Sequence, residues 1–512
     1  MGETEPKAAG VGEFRWILVS SLVIAATVAA LYHPAAELVL MGDSYQWVQH
    51  AHEATHRPLR LFADLDTFLR PASTWTLVVD RLIWRWNPSG FHATNLVFHG
   101  AVAVLLAAAA RRLGLGRWVS LLVALIWVAS PFTDEPAFVV AYRFQTLFAA
   151  AWLSLIVIWP GPDESWSRAR VAGVIGATVI AAASKETWVM IPALVVALEV
   201  GQHRRSFGQA LRTAVPFAVA AALYTGIYFV LFPPGGKSYY VWTLEPLAKV
   251  PHQLAVFFHM EQLVPLEMPF TWRGVVAIAL VAGLMMVCWR RRHWAALVAV
   301  AVLALPVFPT LMVPYLPQRY TALPYAGFLL LIGMWYSRQD QQLNQPLFWR
   351  LGAGAVVAMV AVAGWLTVRA DLVDYRRISA AHEQLVNEAR EVLWALEAGV
   401  PVVVVRAEQE LPLLDVLRSP QGLAKLPFTR HDDPYGLVNA SALFDWALAE
   451  ELVLVEEMTD WPSSGVGKPG VVLVHHSGGF DVVEMTEADV AGEAMHLRRR
   501  GLRLRVIAAE PF

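Results

Sequence analysis

Apolar residues come in long unbroken runs divided by short polar stretches, near 16–32, 91–110, 118–131, 139–159, 171–184, 187–200, 213–232, 274–289, 294–310, 320–337 and 351–368. Within a run the alternation of a half-buried strand is missing, and a helix satisfies its own backbone groups where water is absent. A crossing at full thickness needs about 20 residues, so the shorter runs set soft boundaries. The pattern predicts a polytopic α-helical membrane protein with about eleven transmembrane helices. The first run follows Lys7 and Arg15, and no small-x-small cleavage site precedes the next polar loop, so it reads as a retained helix.

After residue 370 the pattern changes. Val402–Val405 and Val471–His475 read as buried strands, Ala440–Glu451 as a helix, Ser477-Gly478-Gly479 as a turn and Leu502–Ile507 as a closing strand. The expected division is a membrane domain over 1–370 and a small extracytoplasmic α+β domain over 371–512. His431-Asp432-Asp433 in the second domain has the composition of a solvated turn.

Charge gives the expected orientation. Arg111, Arg112 and Arg117, then Arg168 and Arg170, Arg204, Arg205 and Arg212, Arg290–Arg292, and Arg338 and Arg350 occupy alternate loops. Short basic loops stay on the cytoplasmic side. The N-terminus is therefore expected in the cytoplasm, with long outer loops over 33–90 and 233–272. Loops of that length usually carry function. Leu254, Phe257, Phe258 and Leu263 are expected at the bilayer surface.

Composition agrees: 57% of the residues are hydrophobic and 16% charged. A net charge of −2 offers no footprint for a nucleic acid. The single cysteine, Cys288, excludes an intramolecular disulfide.

The polar residues that matter lie at the outer ends of the runs. Asp43 follows the first run, and Asp134 and Glu135 emerge on the same expected side. Asp43 reads either as a helix-capping or interfacial aspartate, or as a general base or a ligand for a metal or a donor phosphate. Transfer of a sugar to a hydroxyl needs a carboxylate to take the acceptor proton and cations beside a leaving phosphate. Arg143, Lys185 and Arg319 supply those cations. Singly each could snorkel, but cations from unrelated helices on one face can grip an anion.

His52-Glu53-Ala54-Thr55-His56 matches H-E-x-x-H, with His50 beside it. Two histidines four apart share a helix face and suit a divalent metal. Pro58 ends that helix, and no third ligand follows. The bland alternative is a pair of interfacial histidines. No cofactor is certain, and a divalent metal at His52 and His56 is the one candidate.

Several segments, in order, resemble the transmembrane O-mannosyltransferase family that carries TPR repeats, and its bacterial relatives. They are Leu69-Arg70-Pro71, Asn87 to His99 with His92 inside it, Ser130 to Glu135 followed by Arg143, Ala183-Ser184-Lys185-Glu186, and Pro317-Gln318-Arg319-Tyr320 with Pro324. Together they cover roughly 40–335. The resemblance implies a GT-C fold and a polyprenyl-phosphate-linked sugar donor. It implies Asp43 as base, Glu135 and Asp134 as further acids, and Arg143, Lys185 and Arg319 on the donor phosphate. Glu186 would orient Lys185, with Arg70, His92 and Tyr320 in support. The chain departs from the pattern in having one aspartate at 43 where relatives often have two, Ser130 for a histidine, Gln145 where an acid is common, and no TPR array.

The expected function is an inverting membrane glycosyltransferase of a bacterial inner membrane, acting on a protein or glycan acceptor. The alternatives are a non-enzymatic lipid-linked sugar transporter and a zinc metalloprotease using His52, Glu53 and His56.

Overall fold

The computed structural model describes residues 7–41, 44–62, 69–161, 164–231, 251, 254, 257, 270–290, 294–309, 318–340, 347–394, 402–406, 470–476, 479–485, 496–499 and 502–505. Asp43 lies outside the described residues. So do His431, Asp432 and Asp433, the predicted helix 440–451, and nearly all of loop 233–272.

Each of the eleven apolar runs falls on a helix. In chain order the helices are α1 (Lys7–Tyr32), α2 (Ser44–His56), α3 (Pro71–Trp84), α4 (Pro88–Arg112), α5 (Arg117–Val128) and the single turn α6 (Glu135–Phe138). Then come α7 (Arg143–Ile158), α8 (Arg168–Ser184), α9 (Ile191–Gly201), α10 (Phe207–Leu231), α11 (Phe270–Arg290), α12 (Ala296–Ala304), α13 (Ala322–Asp340) and α14 (Leu347–Trp394). Among the described residues, four helical segments are long and apolar enough to cross a membrane: Gly12–Glu37, Pro88–Arg112, Val140–Ile158 and Phe207–Val230. The protein is thus mostly α-helical and polytopic. Shorter apolar helices at Arg117–Val128, Val275–Val287 and Ala322–Ser337 accompany them.

α4 is central, packing against α1, α5 and α7, while α7 also lies along α8. A second group brings α9 against α10 and α12, and α12 against α13. At one end of the bundle Glu13 pairs with Arg111 and Arg117 at 3.1 Å each, and Glu164 pairs with Arg112 and Arg170. The basic loops that carry Arg111, Arg112, Arg117 and Arg170 therefore share this end. The opposite end holds the Ser130–Tyr142 segment, the Lys185 corner and the Gln318–Tyr320 turn.

Close crossings rely on small residues. A Cβ on Gly327 in α13 would lie 2.3 Å from the Leu303 backbone nitrogen and 2.7 Å from the Ala299 carbonyl oxygen of α12. These are backbone atoms that cannot rotate aside. Gly327→Ala is expected to destabilise the protein by about 1–3 kcal/mol through overpacking. A thermal melt in detergent equal to wild type would refute this close packing.

The predicted break at 370 falls inside α14, which continues unbroken to Trp394. A Cβ on Gly364 would meet the Ala129 carbonyl oxygen at 2.4 Å, so α14 crosses the Ala129–Ser130 bend in backbone contact. Further along, Tyr375 packs on Phe138 with ring centroids 4.5 Å apart, Ser379 Oγ accepts the Val39 N–H at 2.9 Å, and Arg376 pairs with Glu37 at 2.9 Å. Phe257, expected at the bilayer surface, is buried instead, its ring against Phe132, Tyr325 and Phe328.

In the C-terminal region β1 (Val402–Arg406) pairs in parallel with β2 (Gly470–His476), which pairs antiparallel with β3 (Gly479–Met485). His476 faces Gly479 across the connection, where the sequence predicts a turn. The predicted closing strand pairs locally: β5 (Leu502–Arg505) forms a hairpin with β4 (His496–Arg499).

Candidate functional site

The site is built on the Ser130–Tyr142 segment. Ser130 Oγ accepts the Phe132 N–H at 3.2 Å, and Thr133 Oγ1 donates to the Trp127 carbonyl at 2.9 Å. This polar bend ends α5 and turns the chain into α6. Asn95 on α4 holds the next stretch, its Nδ2 donating to the Pro136 and Val139 carbonyls at 3.3 and 3.2 Å. Ser44, at the start of α2, accepts the Ala141 N–H at 3.1 Å. Three helices, α2, α4 and α5, thereby fix one short segment.

That segment presents Glu135, which is 1% exposed. Its Oε2 accepts the backbone N–H of Arg319 at 2.7 Å and its Oε1 accepts Arg319 Nη1 at 2.9 Å. Both carboxylate oxygens are thus used to hold the Gln318–Tyr320 turn. The Arg319 guanidinium carbon lies 4.1 Å from the Tyr142 ring centroid.

Lys185 follows the end of α8 and is 5% exposed. Its Nζ donates to Gln145 Oε1 at 2.9 Å and stands 4.0 Å from the Tyr320 ring centroid. Among the described residues it forms no ion pair. Burial holds its ammonium well below the ordinary lysine range, and the nearby Arg70 charge adds to that depression. Arg70 closes this cluster with its guanidinium carbon 3.6 Å from the Phe144 ring centroid. Its Nη2 pairs with Glu186 at 3.5 Å. Glu186 therefore makes its ion pair with Arg70, and Gln145 orients Lys185.

Arg70, Lys185 and Arg319 thus gather beside Glu135 and Glu186, and Lys185 is electrostatically coupled to both arginines. With Lys185 protonated, these five side chains carry one net positive charge. Each cation stands over an aromatic ring, a placement that is more favourable away from water.

Arg143 belongs to a separate cluster. It is 0% exposed, pairs with Asp80 through Nη2 at 2.6 Å and donates from Nε to Asn95 Oδ1 at 2.6 Å. Asp80 Oδ1 accepts Thr94 Oγ1 at 2.8 Å. Burial pushes the Asp80 carboxyl up, against the pull of Arg143. Arg143 thus ties α3 and α4 to α7 behind the segment that carries Glu135.

Asp134 is also buried, hydrogen-bonded to Asp371 of α14. Burial pushes its carboxyl well up, and Asp371 pushes it further. His92 is buried with its Nε2 3.3 Å from the Val39 carbonyl. On α2, the His52 and His56 rings meet edge to face at 5.1 Å, His52 lies 5.2 Å from Trp86, and Glu53 pairs with Arg60 at 3.5 Å. Among the described residues no group of three or more His, Cys, Asp or Glu could hold a metal.

The chain matches no protein-family profile and no curated protein. Among solved structures it is similar to ArnT from Cupriavidus metallidurans, in the apo state and bound to undecaprenyl phosphate. In both cases the identity is 14% and the TM-score 0.48, over 98% of this chain and 99% of that chain.

Asp80 and Asp371 were not among the residues singled out from the sequence. Asp80 did leave a signal, a lone acid in the apolar stretch Leu77 to Ile83. Asp371 sits just past an apolar run and looks like an ordinary helix-end charge.

Proposed function

We propose that the protein is a membrane glycosyltransferase that moves a sugar from a polyprenyl-phosphate-linked donor to an acceptor hydroxyl. The observation that carries this reading is Lys185, a buried lysine that shares its surroundings with Arg70 and Arg319. Burying an ammonium without a carboxylate costs several kcal/mol on the order expected for an uncompensated ion. A bound phosphate would offset that cost and complete the charge of the cluster.

In the proposed reaction the acceptor oxygen attacks the anomeric carbon from the face opposite the phosphate. Asp43 takes the acceptor proton. The bond from the anomeric carbon to the phosphate oxygen breaks, its electron pair leaves with the lipid phosphate, and the configuration inverts. Lys185, Arg70 and Arg319 hold the departing anion. Glu135 fixes Arg319, Tyr320 covers Lys185, and Arg143 supports the segment from behind. Asp134, turned to Asp371, is a structural acid in this scheme.

The setting proposed with it is a bacterial inner membrane, eleven crossings, a cytoplasmic N-terminus and an extracytoplasmic region 371–512 that recruits a protein or glycan acceptor. Mannose is the first sugar to test. In membranes supplied with radiolabelled polyprenyl-phosphate mannose, the wild type is expected to move label out of the lipid fraction. Lys185→Met is expected to lose that transfer at least tenfold. Label that crosses the bilayer still attached to lipid would point to the transporter instead. Equal transfer by the two proteins would refute the phosphate site.

A further inference from the structure

Gln145 does more than occupy the turn where α7 begins. Its Oε1 accepts from Lys185 Nζ at 2.9 Å, and the protonated amine that would meet an anion can only donate, so in that state the amide orientation is set by chemistry. Its Nε2 then points away from Lys185. That nitrogen is buried and, among the described residues, has no hydrogen-bond partner, while the residue as a whole is 7% exposed. A buried amide N–H left without an acceptor keeps the cost of its lost hydration, which an oxygen of a bound ligand would offset. The unpartnered donor stands beside a buried cation that forms no ion pair among the described residues, with Arg70, Glu186 and Arg319 near enough to act on its charge.

We infer that Gln145 is a positioning and specificity-determining residue for a singly charged phosphodiester. It holds Lys185 in place without discharging it, and it donates its Nε2–H to an oxygen of the same anion. A glutamate of the same size would keep the contact to Lys185. In this cluster, where three cations already face Glu135 and Glu186, it would cancel the one remaining positive charge and place an acceptor where a donor belongs. The cluster thus selects against neutral prenyl compounds and against ligands offering a hydroxyl donor at this point. The inference rests on the phosphate reading of Lys185 given above.

The test is binding of farnesyl methyl phosphate to the full-length purified protein in detergent. The single charge of this diester does not titrate across the neutral range. Four proteins are compared: wild type, Lys185→Met, Gln145→Glu and Gln145→Leu. Wild type is expected to bind and Lys185→Met to bind at least tenfold more weakly. Gln145→Leu, which is neutral, is expected to lose several-fold at every pH. Gln145→Glu is expected to lose at least tenfold near neutrality and to recover as the pH falls and the new carboxyl protonates. A protonated carboxyl again presents one acceptor and one donor, so the recovery reads charge and donor geometry, which a packing role alone would not move.

If Lys185→Met weakens binding while Gln145→Leu binds like wild type, or Gln145→Glu binds like wild type or shows no recovery in acid, the role of Gln145 is overturned and the phosphate reading stands. If wild type does not bind the diester, or Lys185→Met binds it equally, both fall.

Discussion

Asparagine in place of Asp43 is expected to slow sugar transfer by about 10²- to 10⁴-fold, the usual contribution of a positioned general base. Donor binding should stay close to wild type, because the phosphate is assigned to Lys185, Arg70 and Arg319 rather than to the base. The two quantities separate in a single-turnover experiment, where label leaving the lipid reports the chemical step and a binding titration reports the donor. The residue after Asp43, Ser44, is buried and accepts the Ala141 N–H of the segment that carries Glu135. Equal single-turnover rates for Asp43→Asn and wild type would sink the assignment. A parallel loss of binding and rate would instead give Asp43 a part in holding the donor.

The largest expected effect on stability lies behind the cation cluster. Asp80→Ala leaves the Arg143 guanidinium buried without its counter-ion, and breaking a buried pair in this way typically costs about 3–5 kcal/mol. Arg143 is 0% exposed. Asp80→Ala is therefore expected to lower the unfolding midpoint sharply, and Asp80→Leu combined with Arg143→Met to regain much of the loss, since both charges are then gone. A double variant no more stable than Asp80→Ala alone would show that the cost lies in packing rather than in the stranded charge. Because Asn95 holds both Arg143 and the Pro136–Val139 carbonyls, partial loss of activity should accompany the loss of stability.

Helix placement is written locally in this chain and side-chain pairing is not. The runs near 91–110 and 213–232 lie on α4 and α10 because lipid asks for the same unbroken apolar stretch that makes a run conspicuous. The run near 139–159 is a 3-10 turn, Val140–Tyr142, followed by α7, and the run near 187–200 likewise opens with the turn Glu186–Met190. Hydropathy is blind to such kinks, since the residues inside them are as apolar as those in the helices they join.

At the candidate site, placing Lys185, Glu135 and Arg319 at outer helix ends was enough to group them. Arg143 belonged to the same group by type and by side. Its depth against Asp80 separates it, and depth depends on tertiary distances that spacing along the chain does not encode. Glu186 follows Lys185 directly and looks like its natural partner, yet it opens the 3-10 turn Glu186–Met190 and makes its ion pair with Arg70, the residue before α3.

The unbroken course of α14 has a mechanical consequence. At 48 residues it is about 72 Å long at the usual rise per residue, more than twice the thickness of a hydrocarbon core of about 30 Å. A helix of that length behaves as a stiff lever rather than a leash. Its contacts with Ala129, Asp134, Phe138 and Val39 fall between Gly364 and Ser379, so they act as its fulcrum. Any displacement of this stretch of α14 would bear directly on the bend that leads to Glu135.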